Sequence, residues 1–143
     1  MSDANAALAA ALTAEHAAIF GYGVVGGHLD NAGKETARRA DTVHRTRRDA
    51  LIARLASTSA TAPPAAPAYT LPFAVTNRSS AYKLAIAIEE GTAEAWRLAI
   101  AATTGDVRKV ALDALIDCAV RATGWRRAAK LTPTTVPFPG VRS

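Results

Sequence analysis

The sequence predicts an all-α four-helix bundle with one long crossover, and three observations carry that prediction. Thirty-five of the 143 residues are alanine, the residue with the best intrinsic helix propensity. All seven prolines fall in two short stretches, Pro63–Pro72 and Pro133–Pro139, leaving two long blocks that proline does not break. Each block is interrupted once near its middle, at Gly26-Gly27-His28-Leu29-Asp30-Asn31-Ala32-Gly33 and at Thr103-Thr104-Gly105-Asp106. Each block therefore reads as a helical hairpin, with helices expected at 4–29, 33–57, 79–103 and 106–129.

Every helix carries a seam at 3–4 spacing that must be kept from water. In helix 1 it is Leu8, Leu12, Glu15, Ile19, Tyr22, Gly26 and Leu29; in helix 2, Ala37, Asp41, His44, Arg48, Leu51 and Leu55. In helix 3 it is Tyr82, Ile86, Glu89, Ala93, Trp96 and Ile100; in helix 4, Val107, Val110, Ala114, Asp117, Arg121 and Trp125. Four such seams bury one another in a bundle.

The connection over 58–78 decides the topology. Its Pro-rich first half is stiff and extended, and its second half, Tyr69 to Val75, is apolar and is expected to lie on the bundle. Twenty extended residues reach roughly 60 Å, more than the roughly 36 Å of a 24-residue helix. The link can run the length of the bundle and make helices 2 and 3 parallel. The expected organisation is a bundle over 1–132 and a Pro-containing tail over 133–143 that is loose or draped on the surface.

Each seam holds a polar residue near its middle: Glu15, Asp41 with His44, Glu89, and Asp117. Buried carboxylates are costly unless paired, hydrogen-bonded or metal-bound. With helices 2 and 3 parallel, these groups fall within about one turn of a common level.

On these residues the chain resembles the ferritin-like bundles, and over nearly its full length a small actinobacterial ferritin-like family of unknown function. The resembling stretches are Ala14 to Gly23, His44 to Asp49, Tyr69-Thr70-Leu71-Pro72, Ile88-Glu89 with Ala95-Trp96, and Arg121 to Arg126. Ferritin-like di-metal bundles place a lone Glu on each of two helices and Glu-x-x-His on the other two. The resemblance implies that Glu15 and Glu89 are the lone glutamates and that Asp41-Thr42-Val43-His44 is a shortened Glu-x-x-His. Helix 4 has no second such motif; it carries Asp113, Asp117 and then Arg121. The ligand set is therefore not intact. The reading favoured is a structural or interaction module with no cofactor, in which Glu15, His44, Arg48 and Glu89 form a buried salt-bridge network. The alternative is a metal-binding oxidase or metal store that holds iron or manganese on Glu15, Asp41, His44, Glu89 and Asp117.

Charge offers a second alternative. The 17 basic and 12 acidic residues leave a net charge of +5, and helix 2 carries much of it. A basic nucleic-acid-binding face is set against a solvated face laced with i,i+4 pairs such as Asp41–Arg45. The second reading is favoured, because no aromatic residues interleave with the arginines. The single cysteine, Cys118 beside Asp117, reads as a small buried hydrophobe rather than a nucleophile. With no basic n-region and an apolar stretch interrupted by Glu15-His16, neither a signal peptide nor a membrane span is expected, and the expected location is the cytoplasm. A second apolar stripe on helix 1, Ala9, Ile19-Phe20 and Val24-Val25, and Leu84, Ile88 and Leu98 beside the main seam of helix 3 point to a homodimer. A Pro-rich link covering them within one chain is the competing explanation.

Overall fold

Polar side chains at the chain's turns fix where three of the helices begin. Ser2 Oγ accepts from Asn5 N–H at 3.2 Å, Asp30 Oδ1 accepts from Gly33 N–H at 2.8 Å, and Asn77 and Ser80 form a reciprocal capping box. Each satisfies backbone donors that a helix start leaves orphaned. The fourth start has no side-chain cap at Thr104; there Gly105, at φ +58°, takes a left-handed conformation that glycine adopts without steric cost. In the computed structural model, which describes residues 2–142, the helices are α1 (Asp3–Gly26), α2 (Asn31–Ser57), α3 (Arg78–Ala102) and α4 (Gly105–Ala128). Among the described residues there is no strand. Expected to reach residue 29, α1 stops instead at the Gly26-Gly27 pair, where His28 Nδ1 donates to the Val24 carbonyl at 3.1 Å.

Two apolar clusters define the connectivity. One joins Leu8 and Leu12 of α1, Leu51 and Leu55 of α2, Trp96 and Ala99 of α3, and Ala111 and Ala114 of α4. The other joins Tyr22 and Val25, Ala37 and Ala40, Ala81 and Leu84, and Trp125. The late halves of α2 and α3 thus share one end of the bundle, so these helices are parallel, while α1 is antiparallel to both. Ala60 and Ala62 of the link rest on the first cluster and Leu71 and Val75 on the second. The link therefore runs the length of the bundle, as its reach allows. On the way the Pro63 carbonyl accepts from His16 Nε2 at 3.0 Å, and Tyr69 meets Phe20 with ring centroids 5.5 Å apart.

The link covers part of the apolar surface that pointed to a dimer. Val25 and Leu84 are buried, and Phe20 and Ile88 line a cleft that Tyr69 and Leu71 help to close. Where α1 and α3 meet, Gly21 leaves room for Ile88, whose Cδ1 lies 2.6 Å from where a Cβ would stand. By length and composition α1 is apolar enough to cross a membrane, but half of its most apolar stretch is buried in the bundle. The tail drapes over α3: Arg97 Nε donates to the Gly140 carbonyl at 2.9 Å, and Arg142 pairs with Glu94 at 2.9 Å.

Candidate functional site

The bundle interior is polar at mid-height. Two of its elements share one sequence spacing: on α1 Glu15 precedes Tyr22 by seven residues, and on α3 Glu89 precedes Trp96 by seven. Because the helices run antiparallel, each glutamate lies level with the other helix's aromatic. The bonds form crosswise. Tyr22 O–H donates to Glu89 Oε1 at 2.5 Å, and Trp96 Nε1–H donates to Glu15 Oε1 at 2.8 Å. Trp125 Nε1–H of α4 donates in turn to Tyr22 Oη at 2.9 Å.

His44 of α2 joins the two halves. Its Nδ1 lies 2.5 Å from Glu15 Oε2 and its Nε2 lies 3.0 Å from Glu89 Oε1. All three side chains are fully buried. A carboxylate only accepts, so both ring nitrogens must donate, and the ring is an imidazolium. Burial alone would lower its pKa; the hydrogen bonds to Glu15 and Glu89 more than reverse this and raise it to about 9. Burial likewise raises the Glu89 carboxyl, but His44, Arg121 and Tyr22 together hold it below the usual range. Burial and the Glu89 charge push the Tyr22 phenol well up, so it remains a donor. Burial, followed by the charges of Glu89 and Glu15, pushes the Cys118 thiol up as well. That thiol is no nucleophile.

On the α4 side, Arg121 Nη1 lies 3.3 Å from Glu89 Oε2, and its Nη2 donates to Asp117 Oδ2 at 2.7 Å. Arg47 of α2 reaches the same carboxylate, Nη1 to Oδ2 at 2.9 Å. That is an ion-pair distance without hydrogen-bond alignment, and it leaves the buried Nη1 with no hydrogen-bond partner. Three carboxylates, Glu15, Glu89 and Asp117, thus face three cations, His44, Arg47 and Arg121. The cluster is neutral with His44 charged, as a buried ionic network requires.

The sequence-predicted residues part company here. Glu15, His44 and Glu89 come together, and Asp117 joins them through Arg121. Asp41 does not: it accepts from Arg45 Nε at 2.8 Å on the outer flank of α2. Arg48, expected inside, turns outward onto its neighbour Asp49, Nε to Oδ1 at 2.8 Å. The buried positions of α2 are Ala37, Ala40, His44, Leu51 and Leu55. Asp41 and Arg48 each sit one residue, about 100°, beyond the face that Ala40, His44 and Arg47 define. On α4 the buried face is Ala111, Ala114, Cys118, Ala122 and Trp125; Val110, expected in the seam, is 56% exposed. Asp117 and Arg121 sit on the flank that faces α2. Sequence reasoning treated Tyr22, Trp96 and Trp125 as plain core and passed over Arg47. The signal available was the repeated Glu-x6-aromatic spacing on two helices.

The resemblance to di-metal bundles implies a metal centre, and the residues present do not fit one. Each oxygen of Glu15 and Glu89 already faces a protein donor, both His44 nitrogens face carboxylates, and a guanidinium stands against Glu89. Among the described residues no group of three or more His, Cys, Asp and Glu side chains is arranged to hold a metal ion. The other arginines of α2 are largely paired at the surface, Arg38 and Arg39 with Glu35 and Arg45 with Asp41.

The model of DUF4439, a domain of unknown function, matches residues 7–143. The crystal structure of a conserved hypothetical protein from Mycobacterium tuberculosis is similar to this chain at 41% identity, with a TM-score of 0.86, over 88% of this chain and 96% of the other. No curated protein matches.

Proposed function

The chain belongs to the DUF4439 family, described as a domain of unknown function, and we propose that it is a non-enzymatic ferritin-like module with a structural and interaction role. One observation carries this reading: His44 is bonded by both nitrogens between Glu15 and Glu89, with Arg121 against Glu89. Internal ion pairs there take the place that metal holds in a di-metal bundle. Such a network fixes helix register, because every slipped arrangement leaves a charge buried and unpaired. Elemental analysis of protein purified without chelator tests it. The expected iron and manganese content is far below one atom per chain. A stoichiometric content would instead favour the metal-binding reading built on Glu15, His44, Glu89 and Asp117.

The interaction part of the role rests on α4. Leu112, Ile116 and Val120 are 44%, 52% and 65% exposed, and their i,i+4,i+8 spacing places them in one stripe facing away from the core. At the helix ends Asp106 and Arg127 are exposed, and neither has an ion-pair partner among the described residues. An antiparallel pairing of α4 with a second copy, centred on Ile116, sets Leu112 against Val120 and brings each Asp106 to the other chain's Arg127. The proposed assembly is therefore a homodimer through α4, an isologous contact. Sedimentation should give a concentration-dependent mass near that of two chains for the parent and of one chain for Ile116→Glu. A parent mass of one chain at all concentrations refutes the dimer.

A further inference from the structure

We propose that the cleft between α2 and α4 is a binding site for a small amphipathic monocarboxylate. The two helices are neighbours bridged by side chains rather than packed closely backbone to backbone. Beside the Arg47–Asp117 pair their separation opens a cavity of about 250 Å³. Its floor is Leu8, Leu51 and Trp96, and Val107 and Val110 form its α4 wall. That is enough apolar surface for a short alkyl or aryl body, and the volume lies just below the range of drug-sized sites.

The polar groups at this cavity are mostly positive. Arg47 lines it, with its buried Nη1 held 2.9 Å from Asp117 Oδ2 in an ion pair that lacks hydrogen-bond alignment. Arg121 reaches the same Asp117 carboxylate and also faces Glu89. Arg54, two turns further along the same flank of α2, lines the cavity too; no carboxylate lies within ion-pair distance of it among the described residues. The first turn of α4 borders the cleft with no side-chain cap from Thr104, adding the partial positive charge of a helix start. Asp106 is the single carboxylate in the lining. With Arg47 answered by Asp117, Arg54 is the guanidinium of the lining that no carboxylate reaches among the described residues, and it is free to take the carboxylate of a ligand. A guanidinium fork matches a carboxylate in two parallel hydrogen bonds. The apolar floor selects against a fully hydrated inorganic anion, whose burial against it would strip water without compensation.

Octanoate titrated into the full-length protein, followed by NMR shifts of the Trp96 indole and the Val110 methyls, tests the site. Saturable shifts at both residues are expected, while 1-octanol and inorganic phosphate at the same concentrations produce none. Arg54→Gln, an exposed position without an ion-pair partner, should weaken binding about tenfold, the loss of one charge-assisted hydrogen bond. Arg45→Gln removes the same charge from a different flank of α2 and should leave the affinity unchanged. Absence of saturable shifts overturns the proposal. So does octanol or phosphate binding as well as octanoate, or an equal loss in the two arginine variants, which would mean that net charge alone attracts the anion.

Discussion

Replacing Glu89 by alanine is expected to destabilise the fold by roughly 3–5 kcal/mol, because it leaves buried charges unpaired. Glu89 receives the Tyr22 phenol, the His44 Nε2–H and the Arg121 guanidinium. Its loss leaves the buried Tyr22 and His44 donors and the part-buried Arg121 guanidinium without that acceptor, and His44 and Arg121 without their shared counter-charge. Glu90 provides the control in the same turn. Its pair with Arg126 is partly exposed, so Glu90→Ala should cost only about 0–1 kcal/mol. Urea unfolding of both variants checks the difference, with equal slopes required so that the midpoints report stability alone. If the two variants unfold together, the buried network contributes nothing to holding the helices in place.

Alkaline pH should loosen the same network through His44. The folded state raises its pKa from 6.5 to about 9, so between these values the native protein holds a proton that the unfolded chain has released. Stability therefore falls as pH rises through that window. The contribution is complete below about 6.5, is lost above about 9, and amounts to roughly 3 kcal/mol. On the acid side the sign reverses. The depressed Glu89 carboxyl contributes stability above its unfolded pKa of about 4.5, and this is lost as pH falls through the folded value. Stability should peak between these two limits. Unfolding free energies measured from about pH 6 to about pH 10, for the parent and for His44→Gln, isolate the histidine. The parent should lose stability across the window relative to the variant. Parallel curves would mean that His44 is neutral in the native protein.

The buried network shows how a spacing that resembles the di-metal bundles can be met by ion pairs. The spacing that points glutamates inward is the same whether a metal or an arginine meets them. What differs is the fourth helix, where Asp117 and Arg121 stand in place of a second Glu-x-x-His. A one-turn step from acid to base on one helix supplies its own counter-charge, and the guanidinium then reaches Glu89 across the bundle.

The number of helices and their ends, that of α1 excepted, were legible in the sequence alone, and the length of the link allowed the parallel course of helices 2 and 3. These depend on local chemistry and chain reach: prolines end helices, Asp30 and Asn77 cap them, and a stiff link of some twenty residues is long enough to span the bundle. The inward position of Glu15, His44 and Glu89 was legible for the same reason, since each lies at 3–4 spacing among apolar residues. Only the tertiary structure decided that Arg47, and neither Asp41 nor Arg48, faces the fourth helix. A 3.6-residue period cannot distinguish two adjacent positions at the edge of a seam, and the Asp117 carboxylate of α4 is what draws one of them in. The crosswise bonds of Tyr22 to Glu89 and Trp96 to Glu15 were likewise a tertiary decision. Their partners lie 67 and 81 residues apart, and they meet because two antiparallel helices with the same Glu-x6-aromatic spacing pack in one register.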